Sequence, residues 1–190
     1  MSVFVRRFAS AAAARLAAVS PDDVAHFARI LPPAAVLSSL PPVRLPPDDL
    51  AVYNADWMGK YTGEATTVLR PRSVQQVSDI LKWCHARRIP VVPQGGNTGL
   101  VGGSVPLGGE LVLSLSSMNN VRSFDPVSGS YRSFSVLVLC LFLPGILVAD
   151  AGCILQSLTD YIAPHNHIMP LDLGAKGRSV AVLQTGLFSL

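Results

Sequence analysis

Residues 93–109, PQGGNTGLVGGSVPLGG, crowd seven of the chain's fifteen glycines into one stretch, together with the hydrogen-bonding side chains Gln94, Asn97 and Thr98. Glycine lacks the side chain that keeps a ligand off the backbone, and it adopts positive φ without strain. A run of glycines can therefore aim many N–H groups at one anion, above all a diphosphate. Ordering such a loop costs about 0.5–1 kcal/mol per glycine relative to alanine. Two or three charge-assisted hydrogen bonds of about 1.5–3 kcal/mol each offset that cost. The bland reading is a flexible hairpin loop, and Leu100, Val101, Val105 and Leu107 argue against it, because a free linker would expose them.

Two common nucleotide sites drop out on spacing. A Walker loop requires GxxxxGK followed by Ser or Thr, and no lysine lies between Lys82 and Lys176. A Rossmann turn requires GxGxxG opening a helix, whereas Gly96, Gly99 and Gly102 form GxxGxxG and a strand follows.

The elements that must hold this loop can be read on either side of it. TTVLRP is a short β-branched run, SVQQVSDILKWCHARR places Val74, Val77, Ile80, Leu81 and Cys84 at helical spacing, and IPVVPQ is strand-like again. Ser73 and Gln76 predict a capping box at the helix start, and Arg87 and Arg88 complement the dipole at its end. The crossover predicts two parallel strands. ELVLSLSSMN then reads as a third strand, so the loop joins strand to strand.

Composition allows one domain at most: 190 residues, 49% hydrophobic and 14% charged. The net charge of +3 disappears once Arg6, Arg7 and Arg15 are set aside, which leaves no nucleic-acid footprint. Residues 1–20 are rich in Arg, Ala and Ser and free of acids, as in a mitochondrial presequence. A disordered start is the plain alternative, and Arg15 interrupts the apolar region that a secretory signal would need. Residues 21–50 hold three Pro-Pro pairs and read as a Pro-rich linker. Cys84, Cys140 and Cys153 form no CxxC pair and read as buried thiols of a reducing compartment. His165 and His167 lack a nearby third ligand, so no metal is expected. Trp57, Met58 and Tyr61 are either a ligand platform or a packed domain edge.

VVPQGGNTGLVGG, preceded by TTVLRPRSVQQVSDILKWCHARRIP, resembles the FAD-binding domain of the para-cresol methylhydroxylase and vanillyl-alcohol oxidase family of flavoproteins. YNADWMGKYTGEATTVLRPRSVQQVSDIL, LVLSLSSMNNVRSFDP, AGCIL and MPLDLGAKG narrow the likeness to its mitochondrial D-2-hydroxyglutarate dehydrogenase branch, over about Asp48 to Gly177 with one break. The resemblance implies an α/β (α+β) fold in which residues 51–177 form part of a PCMH-type FAD-binding domain. It implies FAD as cofactor, with Pro93, Gln94, Gly95, Gly96, Asn97, Thr98, Gly99, Leu100, Val101, Gly102 and Gly103 around the diphosphate, Asn97 and Thr98 through their side chains. Pro170, Leu171, Asp172 and Gly174 would border the flavin; Lys176, in the GAKG run, reads equally as a partner for a phosphate or substrate carboxylate or as a surface lysine. For the family, a D-2-hydroxy acid gives a hydride to the flavin and electrons pass to an electron-transfer flavoprotein, in the mitochondrial matrix.

Two departures qualify what the resemblance implies. YRSFSVLVLCLFLPG, residues 131–145, stands where a tight turn is expected and reads as an insert. The apolar run 134–149 is short for a membrane span, at roughly 24 Å against a hydrocarbon core of about 30 Å, so membrane association is not expected. After LDLGAKG the family continues to a substrate cap and to catalytic histidines, whereas here a divergent tail, residues 178–190, follows. No catalytic residue carries over. The expectation is an FAD-binding, catalytically incomplete chain, the alternative being a non-catalytic product that folds poorly or lies on a membrane.

Overall fold

The computed structural model describes residues 16–126 and 146–169. The first described element is helix α1 (Pro21–Ile30), capped by Ser20, whose side chain accepts from the Asp23 N–H while the Asp23 carboxylate takes the Ser20 N–H. Pro21 suits the first turn, where its missing donor has no intrahelical partner anyway, and Pro32 and Pro33 follow directly after the helix stops.

The segment expected to be a Pro-rich linker is instead built into the core. It supplies a strand, β1 (Val36–Ser38), antiparallel to β2 (Thr67–Leu69), with Leu31, Ala35, Val36 and Leu50 buried. The Pro-Pro pairs flank β1 rather than interrupt it, so their missing donors remove nothing from the ladder. A second short helix, α2 (Ala51–Asn54), follows.

Helix α3 (Val74–Arg87) forms where its periodicity places it, but only Ile80 and Cys84 are fully buried, whereas Val74 and Leu81 face outward. Its capping box is shifted by one residue. Ser73 accepts from Gln76 N–H as expected, while the Gln76 side chain takes the N–H of Arg72 at 2.7 Å. Arg88 closes the helix in the left-handed region at φ 56°, donating to Cys84 and His85 carbonyls.

The main sheet runs β1–β2–β4–β3, with β3 at Val91–Gln94 and β4 at Leu111–Ser114. As expected, β2 and β3 share one direction, but β4 lies between them, parallel to both. Alternation along the central strands splits the core. Leu69, Leu111 and Leu113 meet Phe27, Val24, Ile80 and Cys84 of α1 and α3, while Val68 and Val112 meet Leu50 and Ala65 on the other face. Both faces are covered, which is why the two central strands are apolar at nearly every position. Burial pushes the Cys84 thiol up to about 11, so it behaves as a core residue.

Past β4, a two-stranded antiparallel ribbon pairs β5 (Val121–Asp125) with β6 (Ile146–Ala149). The last residues of the apolar run 134–149 are therefore a strand, and no described helix is long and apolar enough to cross a membrane. Helix α4 (Leu155–Ile162) buries Leu155, Leu158 and Ile162, and the His165 and His167 rings pack around Phe124. Gly152 has no room for a side chain: a Cβ there would strike the carbonyl oxygens of Leu115 and Met118.

Candidate functional site

Because β3 and β4 are parallel neighbours, the chain must return from the C-terminal end of one to the N-terminal end of the other. A hairpin turn cannot do that. The glycine-rich residues 95–110 are the crossover, made without the helix that usually serves, and the flexible-hairpin reading falls with the topology.

Side chains of the loop fix its path. Gln94, 3% exposed at the end of β3, donates through Nε2 to the carbonyls of Tyr53 (3.0 Å) and Ser104 (2.9 Å). Asn97, at φ 51°, donates through Nδ2 to Ala55 (2.6 Å) and more weakly to Val52 (3.5 Å), and its Oδ1 accepts from the Ser104 hydroxyl at 2.8 Å. Asn97 was expected to reach the diphosphate with this side chain; the structure turns it inward onto α2 and Ser104. Carbonyls at a helix end have no intrahelical donors, and an amide side chain satisfies them well.

Gly102 is required by both criteria at once: φ is +75°, and a Cβ would lie 2.9 Å from the Tyr61 ring. At Gly99, by contrast, the nearest atom a Cβ would meet is Ser104 Oγ at 3.9 Å, and at Gly103 nothing lies within 4 Å. Those two glycines are not demanded by the protein's own packing. Of the four apolar residues in the loop only Val105 is buried, while Leu100, Val101 and Leu107 lie exposed.

The loop's donors are uncommitted. Among the described residues, the backbone N–H groups from Gly96 to Ser104 have no acceptor in the chain. Thr98 Oγ1 is buried without a partner, as is Asp56 Oδ2 in the adjoining turn. An unpaired buried hydroxyl costs about 1–3 kcal/mol, so a group that pairs with it on binding recovers that loss. The stretch 93–109 carries no charged side chain, so whatever anion it holds is met by oriented amide dipoles. Pro93 is tolerated because β3 is an edge strand. Pro170, Leu171, Asp172, Gly174 and Lys176 lie outside the described residues.

Residues 51–64 were not expected to serve the loop directly. Ala55 and Thr62 bridge as a small hairpin, Asp56 Oδ1 accepts the Tyr61 N–H at 2.9 Å, and Gly59 at φ +65° makes the turn. Trp57 and Met58 are exposed at its tip, while Tyr61 packs on Gly102. The contact was illegible because it joins residues forty apart. A shallow groove of about 390 Å³ between α1 and α3, lined by His26, Trp83 and Lys82 among others, takes no residue from the loop.

The sequence profile of the FAD binding domain family matches residues 65–182, which take in the loop, α3 and the strands on both sides. The chain belongs to the FAD-binding domain family. FAD is accordingly its cofactor, and the acceptor-free amides and the buried Thr98 hydroxyl suit a diphosphate. It is 42% identical over 177 residues to the probable mitochondrial D-2-hydroxyglutarate dehydrogenase of Oryza sativa subsp. indica, covering 90% of this chain and 28% of the relative. Against the mitochondrial D-2-hydroxyglutarate dehydrogenase of Bos taurus, identity is 42% over 84% of this chain and 25% of the relative. Thus the chain spans about a quarter of the length of these relatives. Among solved structures it is similar to p-cresol methylhydroxylase with substrate bound, at TM-score 0.59 and 23% identity, over 82% of this chain and 27% of that one. Alkyldihydroxyacetonephosphate synthase gives TM-score 0.58 at 11% identity, over 87% and 32%. These likenesses show the fold: an α/β FAD-binding domain of the PCMH type.

Proposed function

We propose that this chain is the FAD-diphosphate-holding part of a D-2-hydroxy-acid dehydrogenase, with D-2-hydroxyglutarate as the substrate class and the mitochondrial matrix as its location. Bound FAD supplies a hydride acceptor. The chain's own part is to grip the cofactor, with Gly95 to Gly103 donating backbone N–H groups and Thr98 its hydroxyl. The substrate class rests on what the rice and cattle relatives are named to act on, and the mitochondrial location on their names and on the Arg- and Ala-rich residues 1–20. An electron-transfer flavoprotein is the proposed acceptor of the electrons. Pro170 to Gly174 are proposed to border the flavin, and this part of the protein is proposed to bind FAD without turning substrate over.

The observation that carries the reading is a crossover whose N–H groups from Gly96 to Ser104 meet no acceptor, within the family match. Purified chain should retain flavin absorbance through gel filtration. A bulky residue at Gly99, where the fold leaves room, should remove that absorbance without lowering the melting temperature. Undiminished FAD affinity in a folded Gly99→Leu protein would overturn the proposal.

A further inference from the structure

With the amides from Gly96 to Ser104 bonded to nothing in the chain, the first half of the loop takes little of its shape from backbone hydrogen bonds, which begin only at Val105 N–H to the Gly102 carbonyl. Its shape must come from elsewhere. Three contacts supply it, and all three end on residues 51–63, which precede the 65–182 family match. Gln94 bonds the Tyr53 carbonyl, Asn97 bonds those of Ala55 and Val52, and the Tyr61 ring lies against Gly102. Ser104 closes the clasp from the far side of the loop, giving its carbonyl to Gln94 and its hydroxyl to Asn97.

The 51–63 segment is stiff enough to act as an anvil. Asn54 pairs with both backbone groups of Ala65, at 2.8 Å to Oδ1 and 3.2 Å from Nδ2. Gly63 N–H donates to the Asn54 carbonyl, and Glu64 N–H to that of Pro106 on the loop's return. Beneath it Leu50, 1% exposed, anchors the segment in the core. Gly63 itself admits no side chain, since a Cβ would sit 2.6 Å from the Pro106 carbonyl oxygen.

We infer that residues 51–63 are a working part of the cofactor site, a platform that holds the diphosphate loop in its binding shape through Gln94, Asn97 and Ser104. Asn97 and Gln94 are positioning residues, and Thr98 is the loop side chain left to meet the ligand. This rests on the FAD reading above for what the loop binds. Preorganisation of this kind raises affinity by removing the ordering cost from the binding step.

The test is a double-mutant cycle on the full chain, read by FAD titration and by amide exchange. Asn97→Ala and Ser104→Ala should each weaken FAD binding about five- to tenfold, the size of one or two lost hydrogen bonds. The double variant should be no more than about twofold weaker than Asn97→Ala, because the two act through one clasp. Ser104→Thr, which keeps the hydroxyl, should restore affinity. Protection of the Gly63 and Val105 amides should fall in Asn97→Ala without ligand. If Ser104→Ala leaves FAD affinity unchanged, or if the two losses multiply, Asn97 touches the cofactor directly and the platform is refuted. Unchanged protection at Gly63 and Val105 refutes it too. Loss of that protection in a chain whose wild type fails to bind FAD would uphold the platform and overturn the cofactor reading instead.

Discussion

Around Asp23 both carboxylate oxygens find donors, while around Thr98 the backbone donors meet no acceptor in the chain. The Asp23 carboxylate is fully buried and takes bonds from Ser20 N–H and hydroxyl, from Trp83 Nε1 at 2.9 Å and from Arg87 Nε at 3.1 Å, binding α1 to α3. His26 stacks on the same Trp83 ring at 3.6 Å. At the loop, amides from Gly96 to Ser104 and the Thr98 hydroxyl are left over. A satisfied polar cluster contributes to stability; a buried hydroxyl without a partner is a cost that a ligand can reverse. The contrast separates what keeps this chain folded from what it is folded for.

The largest effect should come from breaking the satisfied side. Asp23→Ala strands the Trp83 and Arg87 donors and should cost about 2–4 kcal/mol in urea unfolding, discounted because Arg87 is half exposed. The same group gives a pH dependence. Burial pushes the Asp23 carboxyl up, but the bonds from Ser20, Trp83 and Arg87 outweigh burial and hold it below its ordinary 3.8. Its contribution is therefore complete above that value and fades as pH falls through the lower folded value. Wild-type stability should fall with acid in that range, and an Asp23→Asn protein should show a shallower decline.

On the unsatisfied side, Gly102→Val combines a forced positive φ with a collision against Tyr61, and should weaken FAD binding on the order of 100-fold by fluorescence titration. Thr98→Val sharpens the comparison further. Removing an orphaned hydroxyl should leave the melting temperature equal or higher, while FAD affinity falls about tenfold. An equal loss of stability and affinity would erase the distinction between the regions. The smallest effect is expected at Val74, which is exposed on α3: Val74→Ala should change stability by less than about 0.5 kcal/mol in urea unfolding and leave FAD affinity unaltered.

Much of this was legible in one dimension. The 3.6-residue period of α3, the alternation in β4 and the glycine spacing each depend on neighbours within a few residues, and these are the interactions that local pattern encodes. The Pro-Pro pairs misled for the same reason: proline reports what its own backbone cannot do, and says nothing about whether Val36 finds a partner at Leu69. Asn97 left its partner open, because a side-chain amide serves a phosphate or a carbonyl equally well, and the bond to the Ala55 carbonyl depends on the approach of a segment some forty residues away.

From its sequence alone, then, the chain declares a glycine-rich loop set between a βαβ unit and a further strand. Those features follow from backbone freedom and from short-range periodicity. Tertiary structure decided that β4 enters between β2 and β3, that the loop is a crossover, and that residues 51–63 hold it from below. Such contacts form only when segments forty residues apart are brought together by burying a shared core, and no local pattern records which partner the core will select.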